Sequence, residues 1–245
     1  MVKNGPVLLA WVAGIVLAGC GRDSAPTAAD DPPTFLAQDH NEAGVVVASY
    51  EYYPDPDGGI HIRHGFFHTF HDDGAEKETG AYAHGLKEGA WRAFHANGVL
   101  RYRGSYRDGT LDGDWLAFFE NGNKKDEGRY DNRSKDGRWR WYFESGPLRS
   151  TGSFSDGARQ GRWSRYYENG QIHSGGDYAH GHRGGLWSWY YEDGTLRATL
   201  HFTATYKSGP AHYYDTDGVI TDIDYWENGA CVADCEGDEV PLSVP

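Results

Sequence analysis

Gly161-Arg162-Trp163-Ser164-Arg165-Tyr166-Tyr167-Glu168-Asn169-Gly170 decides the fold, because it recurs. Twenty-four residues earlier the chain reads Gly137-Arg138-Trp139-Arg140-Trp141-Tyr142-Phe143-Glu144-Ser145-Gly146. Twenty-four later it reads Gly185-Leu186-Trp187-Ser188-Trp189-Tyr190-Tyr191-Glu192-Asp193-Gly194. A fixed period of this length marks a repeat architecture. Gly74, Gly98, Gly122, Gly146, Gly170, Gly194 and Gly218 give the reference position of seven units, each preceded by Asp, Asn or Ser. Asn-Gly and Asp-Gly are hairpin signals, since both central residues of a two-residue turn take positive φ. A second glycine column stands nine residues earlier, from Gly65 to Gly209, and implies positive φ or close strand approach.

Aromatic columns complete the unit. Phe67, Trp91, Trp115, Trp139, Trp163 and Trp187 stand seven residues before the reference glycine, and the column lapses at Ala211. Phe70 to Tyr214 stand four before, and Tyr82 to Trp226 eight after. A second turn, such as Asp108-Gly109 or His180-Gly181, leads to the next unit. The pattern predicts an all-β fold, an elongated single-layer antiparallel sheet of tandem 24-residue β-hairpins. Equivalent strands lie two apart, about 9.5 Å, so seven units extend on the order of 65 Å. The Trp column and the one three residues later cannot share a face of a regular strand. Either both faces carry aromatics or each first strand holds a bulge.

Composition agrees with a thin structure. Hydrophobic content is only 38% while aromatics reach 15%, with 9 Trp and 17 Tyr. The formal net charge is −13 and no Lys/Arg run occurs, a field that repels nucleic acid and anionic headgroups. At the start of the chain, Lys3 and an apolar run over residues 7–17 have the length of a secretory signal and are short for a membrane span. Residues 21–44 are polar and rich in Pro, Ala and Asp, which reads as a flexible tether. A β-branched and aromatic run over 45–53 predicts a strand, broken by a turn over 54–59.

Chemistry is sparse. There is no Gly-x-Ser-x-Gly elbow, phosphate-binding loop or His-Glu-x-x-His, so neither an enzyme nor a cofactor is expected. His61, His64, His68 and His71, followed by Asp72 and Asp73, are the densest set of potential metal ligands. Strand alternation places His68 and His71 on opposite faces, so all four converge only at a bulge. Lys77, Arg101, Lys125, Arg149 and Arg197 form a basic column three residues after the reference glycine. It is either a binding strip or a solvated face. Near the end, Cys231 and Cys235 favour a local disulfide that closes the last strand; two cysteines alone fall short of a zinc site.

Two resemblances follow from these residues. Leu17-Ala18-Gly19-Cys20 resembles the lipobox of bacterial lipoproteins, which implies cleavage before Cys20 and lipidation of it. Gly21 after the cysteine implies release to the outer membrane. The alternative is an ordinary secretory signal that contains a cysteine. Gly-x-Trp-x-x-Tyr-x-x-Asn-Gly followed by Gly-x-Tyr-x-x-Gly, at 161–181, resembles the bacterial MORN-repeat variant. The likeness covers about seven units over 58–230, with atypical first and last units as capping requires. Arg133, in place of a turn glycine, is an internal departure.

The expected organisation is a signal peptide at 1–19, a tether at 20–44, a repeat array at 45–230 and an acidic tail at 231–245. The expected function is a non-catalytic scaffold on the cell envelope, anchored only by lipid at the outer membrane, that binds a protein partner. Tyr166, Tyr190, Arg149 and Arg197 are the candidate contacts, since interface hot spots favour Tyr, Trp and Arg. The family also includes antitoxins, which implies an immunity-type protein as the second reading. A His-centred metal-binding protein and a mechanical spacer are the others.

Overall fold

The computed structural model describes residues 33–55, 58, 59 and 61–235. The signal stretch, Cys20 and residues 236–245 of the acidic tail lie outside the described residues. Among the described residues eighteen strands, from β1 (Phe35–His40) to β18 (Ala230–Ala233), form one antiparallel sheet in which neighbours pair in chain order, except that the seventh and eighth both pair with the sixth. Among the described residues each strand packs chiefly on its sheet neighbours, so the sheet is a single layer. The predicted strand is β2 (Val46–Tyr53). The stretch read as a tether is shorter than expected, because β1 lies inside it. Phe35 pairs with Tyr52, their rings 5.9 Å apart. FLAQDH has no alternation of apolar and polar residues, which hid it in the sequence.

The hairpin turns differ from the two-residue form that Asn-Gly implied. His71 N–H donates to Ala75 O (2.8 Å) and Gly74 N–H to His71 O (2.9 Å), which makes a three-residue loop. Only the glycine takes positive φ, +86° at Gly74, as in a type I turn closed by a bulge. The preceding Asn has two other tasks. Asn97 Oδ1 accepts from Val99 N–H, and its Nδ2 donates to Glu120 O of the next unit (2.8 Å). Asn121 and Asn169 repeat that bridge to Glu144 O and Glu192 O. The two-residue turns are instead those between units, where both residues have positive φ, as at His84 (+49°) and Gly85 (+81°). Arg133 adopts +72° there and keeps the shared bond, its N–H donating to Leu111 O.

Both readings of the aromatic columns hold. Every unit carries a bulge: Asp136 faces Arg129 but Arg140 faces Glu127, so four residues on one strand span two on the other. Gly137, at φ +63°, supplies the conformation. Trp139 and Trp141 then share one face, while Tyr142 turns to the other and donates to Glu127 Oε1.

A sheet with no second layer must bury its tryptophans within itself. Each lies flat on a glycine of the preceding strand: Trp91 on Gly80, Trp139 on Gly128, Trp163 on Gly152 and Trp187 on Gly176. A Cβ at Gly152 would stand 2.1 Å from the Trp163 ring. The indole N–H donates to the carbonyl one residue on, as Trp139 does to Arg129 O (3.0 Å). Ring edges from the column eight after the reference glycine close both sides, Tyr130 at 5.0 Å and Phe154 at 6.4 Å from Trp139. Trp139 is fully buried as a result. In the last unit the pair is exchanged: Leu200 replaces the glycine and Ala211, directly opposite, replaces the tryptophan. Leu200 is also fully buried, so volume is kept.

Gly152→Ala is expected to cost about 1–3 kcal/mol, the usual penalty of overpacking. Gly184→Ala, which meets open space at ordinary φ, is expected to be neutral or to stabilise by up to about 1 kcal/mol. Urea unfolding of the two variants checks both.

Candidate ligand-binding face

The aromatic face carries a second basic column, distinct from the one three residues after the reference glycine. Arg63, Lys87, Lys135, Arg159, Arg183 and Lys207 recur every 24 residues, eleven before the reference glycine. Each caps an aromatic ring: Lys87 Nζ is 3.8 Å from the Trp91 centroid, Lys135 4.2 Å from Trp139, and Arg159 and Arg183 4.8 Å from Trp163 and Trp187. Such contacts contribute about 0.5–2 kcal/mol each. The bulge makes them possible. Four residues of regular strand separate side chains by about 13 Å, whereas the bulge reduces this to about 7 Å, two residues of the partner strand. Recurrence at 24 was the available signal.

The third unit tests the arrangement within the chain itself. Leu111 stands where the cation belongs, and the strand breaks at Asp112 into β7 (Thr110–Leu111) and β8 (Gly113–Phe118). Trp115 there donates to Asp126 Oδ1 (2.7 Å) and stacks on Tyr102 at 4.8 Å. It is less buried than Trp91 or Trp139.

Other positions on this face vary from unit to unit. Five before the reference glycine stand Thr69, Ala93, Ala117, Trp141, Arg165, Trp189 and Tyr213. Four after stand Glu78, Tyr102, Asp126, Ser150, Ser174, Ala198 and Asp222. Where Trp141 gives way to Arg165 the face opens into a cleft of about 350 Å³, lined by Lys135, Arg149, Arg159, Arg165, Trp141 and Trp163 among others. No lining residue is acidic. The opposite face has a larger and more open depression, about 750 Å³, whose lining mixes arginines with Asp114 and Glu127.

The residues singled out from sequence do not come together. Arg149 lines the cleft, and Arg197 lies over the Tyr191 ring at 5.6 Å. Tyr166 and Tyr190 belong to the column of Tyr142, on the other face. The four histidines are dispersed. His61 stacks on Tyr52 at 4.0 Å, and His64 packs against Tyr53 and His84. His68 lies 3.4 Å from Glu76, and His71 contacts Phe94 O. Among the described residues no group of three or more His, Cys, Asp or Glu is placed to hold a metal ion. Cys231 and Cys235 are bonded to each other beside the last strand.

Five segments match the family model described as MORN repeat variant: 87–108, 111–132, 135–156, 159–179 and 183–204. Their starts coincide with Lys87, Leu111, Lys135, Arg159 and Arg183, the column of ring-capping residues. No curated protein matches the chain. Among solved structures, a GtfA/B complex bound to UDP and GlcNAc is 13% identical over 45% of this chain and 22% of its own, at a TM-score of 0.20. A TcdB2-TccC3-Cdc42 structure is 11% identical over 80% of this chain and 13% of its own, at 0.22. The chain thus spans a small part of each, and similarity this low carries no functional argument.

Glu78 gives the face a pH dependence. Its carboxylate accepts from Lys87 Nζ (2.8 Å) and from the Tyr102 hydroxyl (2.6 Å). Burial opposes the charge, but these two bonds and the Lys87 and Arg101 charges outweigh it and hold the carboxyl below the usual range. Burial, with donation to Glu78, pushes the Tyr102 phenol well above its ordinary value. A carboxyl depressed on folding contributes stability that is complete above the unfolded value, about pH 4.3, and lost as pH falls through the folded one. Glu78→Gln is therefore expected to lose less melting temperature than the parent chain between about pH 6 and about pH 3. Equal losses by circular dichroism contradict the assignment.

Proposed function

We propose that this chain, whose array includes five MORN-variant repeats, is a non-catalytic scaffold that binds a protein partner on the aromatic and basic face. The observation that carries the reading is the division of labour on that face. The Trp, Gly, ring-capping and flanking aromatic columns recur and build the sheet, whereas the columns five before and four after the reference glycine change in nearly every unit. A repeating frame with varying positions is how solenoid arrays form extended binding surfaces. The basic column that includes Arg101 and Arg197 borders this surface, with Arg101 over the Tyr102 ring and Arg197 over the Tyr191 ring. Its partner is accordingly a protein with acidic and apolar surface. We place the scaffold on the cell envelope, held by lipid at Cys20; the lipobox-like residues 17–20 support that location.

Crosslinking capture from envelope extracts tests the face. Arg101→Ala combined with Arg197→Ala is expected to reduce capture of the partner at least about tenfold, as loss of charged hot-spot residues does. Tyr166→Ala combined with Tyr190→Ala, on the opposite face, is expected to leave it unchanged in folded protein. The reverse outcome moves the interface to the other side. Cys20→Ser is expected to shift the protein from the membrane fraction to the soluble one, and unchanged fractionation removes the anchor.

A further inference from the structure

We propose that the cleft at Arg165 is a small-ligand site for a carboxylate carried on a flat ring. It rests on the varying positions forming the contact surface, but it requires no protein partner. The register defines the site. Trp141 lies opposite Ser150, Ser150 opposite Arg165, Arg165 opposite Ser174, and Ser174 opposite Trp189. Across five strands the face thus reads aromatic, small, cationic, small, aromatic. The rings of Trp141 and Trp163 stand 5.6 Å apart as one wall, and Trp163 continues edge-on to Tyr178. In place of the aromatic of units four, six and seven, unit five has Arg165, and the serines on either side leave the space empty.

Charge sets the ligand's polarity. Lys135, Arg149, Arg159 and Arg165 converge on about 350 Å³ in a chain of net charge −13. Among the described residues no carboxylate forms an ion pair with any of the four. Arg159 Nη1 donates to the Tyr178 hydroxyl (2.9 Å) and Lys135 caps Trp139, which leaves Arg149 and Arg165 facing the cleft. Burial and the neighbouring Arg149 charge hold Arg165 below the ordinary arginine value, and burial with the Arg165 and Arg197 charges does the same to His173. The Asp126 charge acts on Lys135, but no acidic residue lines the cleft, and the like charges crowded at Arg149 and Arg165 are relieved by an anion. A guanidinium fork matches a carboxylate in bidentate geometry. The volume falls within the range of small-molecule sites, and the indole walls take a ring rather than a bare ion.

The probe is 2-naphthoate, titrated calorimetrically into the full-length chain beside 2-naphthalenemethanol, which keeps the ring and lacks the charge. We expect one naphthoate per chain, with the alcohol at least about tenfold weaker, as loss of charge-assisted hydrogen bonds implies. Arg165→Trp restores the aromatic of the neighbouring units and is expected to abolish naphthoate binding while the circular dichroism spectrum is kept. Arg149→Ala should weaken binding with no loss of melting temperature, and serves if Arg165→Trp misfolds. Absence of naphthoate binding, equal affinity for the alcohol, or binding that survives both substitutions overturns the proposal. Loss of naphthoate binding in Arg165→Trp with partner capture retained separates this site from the protein interface; capture lost on Arg101→Ala with Arg197→Ala while naphthoate still binds does so from the other side.

Discussion

The contact on which the structure depends is a tryptophan lying flat on a glycine of the preceding strand. A single-layer sheet has no opposing element to cover its apolar face, so burial has to come from within the layer. Omitting the Cβ at Gly80, Gly128, Gly152 and Gly176 lowers each indole onto the backbone, where its N–H finds a carbonyl and its edges meet the next aromatics. The remaining ring surface is closed by a Lys or Arg. Leu200 with Ala211 shows that the requirement is for filled volume, since the glycine and the tryptophan are replaced together. Trp115, without a cation, takes a different hydrogen bond and stays less buried.

The same economy explains what is available for binding. Columns that form the core cannot vary, and in this chain they hardly do. Columns beside them are free to differ, and Arg165 is the sharpest difference on the face. The bulge at the positive-φ glycine brings the cation over the ring, and ordinary alternation after it sets the two aromatic columns on opposite faces. Neighbouring units are tied further at the turns, through Asn Nδ2 at one edge and through the N–H of the second turn residue, as at Gly157 to Lys135 O, at the other.

Much of this was legible in the sequence. Period, strand content and antiparallel order follow from the spacing of Gly, Trp and Tyr. The glycine nine before the reference implies positive φ or close approach, and it takes positive φ; close approach belongs to the glycine six after, the first of the Gly-x-Tyr-x-x-Gly motif. The basic column at Lys135 is not legible from spacing alone, because a recurrent Lys or Arg looks like a solvated face unless the bulge is known. Asn-Gly suits two-residue loops, and only the backbone shows that Asn here stays out of positive φ to bridge to its neighbour. The cleft was out of reach, for it exists only where register aligns Ser150, Arg165 and Ser174.

If burial is local to each unit, damage should be local too, as in quasi-one-dimensional repeats. Native-state hydrogen exchange on Trp139→Ala tests this most directly. Amides of β9 (Lys124–Asp131), β10 (Ser134–Tyr142) and β11 (Leu148–Ser155) are expected to lose protection, while those of β3 (Ile62–Phe70) and β16 (Tyr206–Tyr214) keep theirs. A uniform loss along the whole sheet would contradict the account, because it would mean one shared core in place of a chain of neighbouring ones.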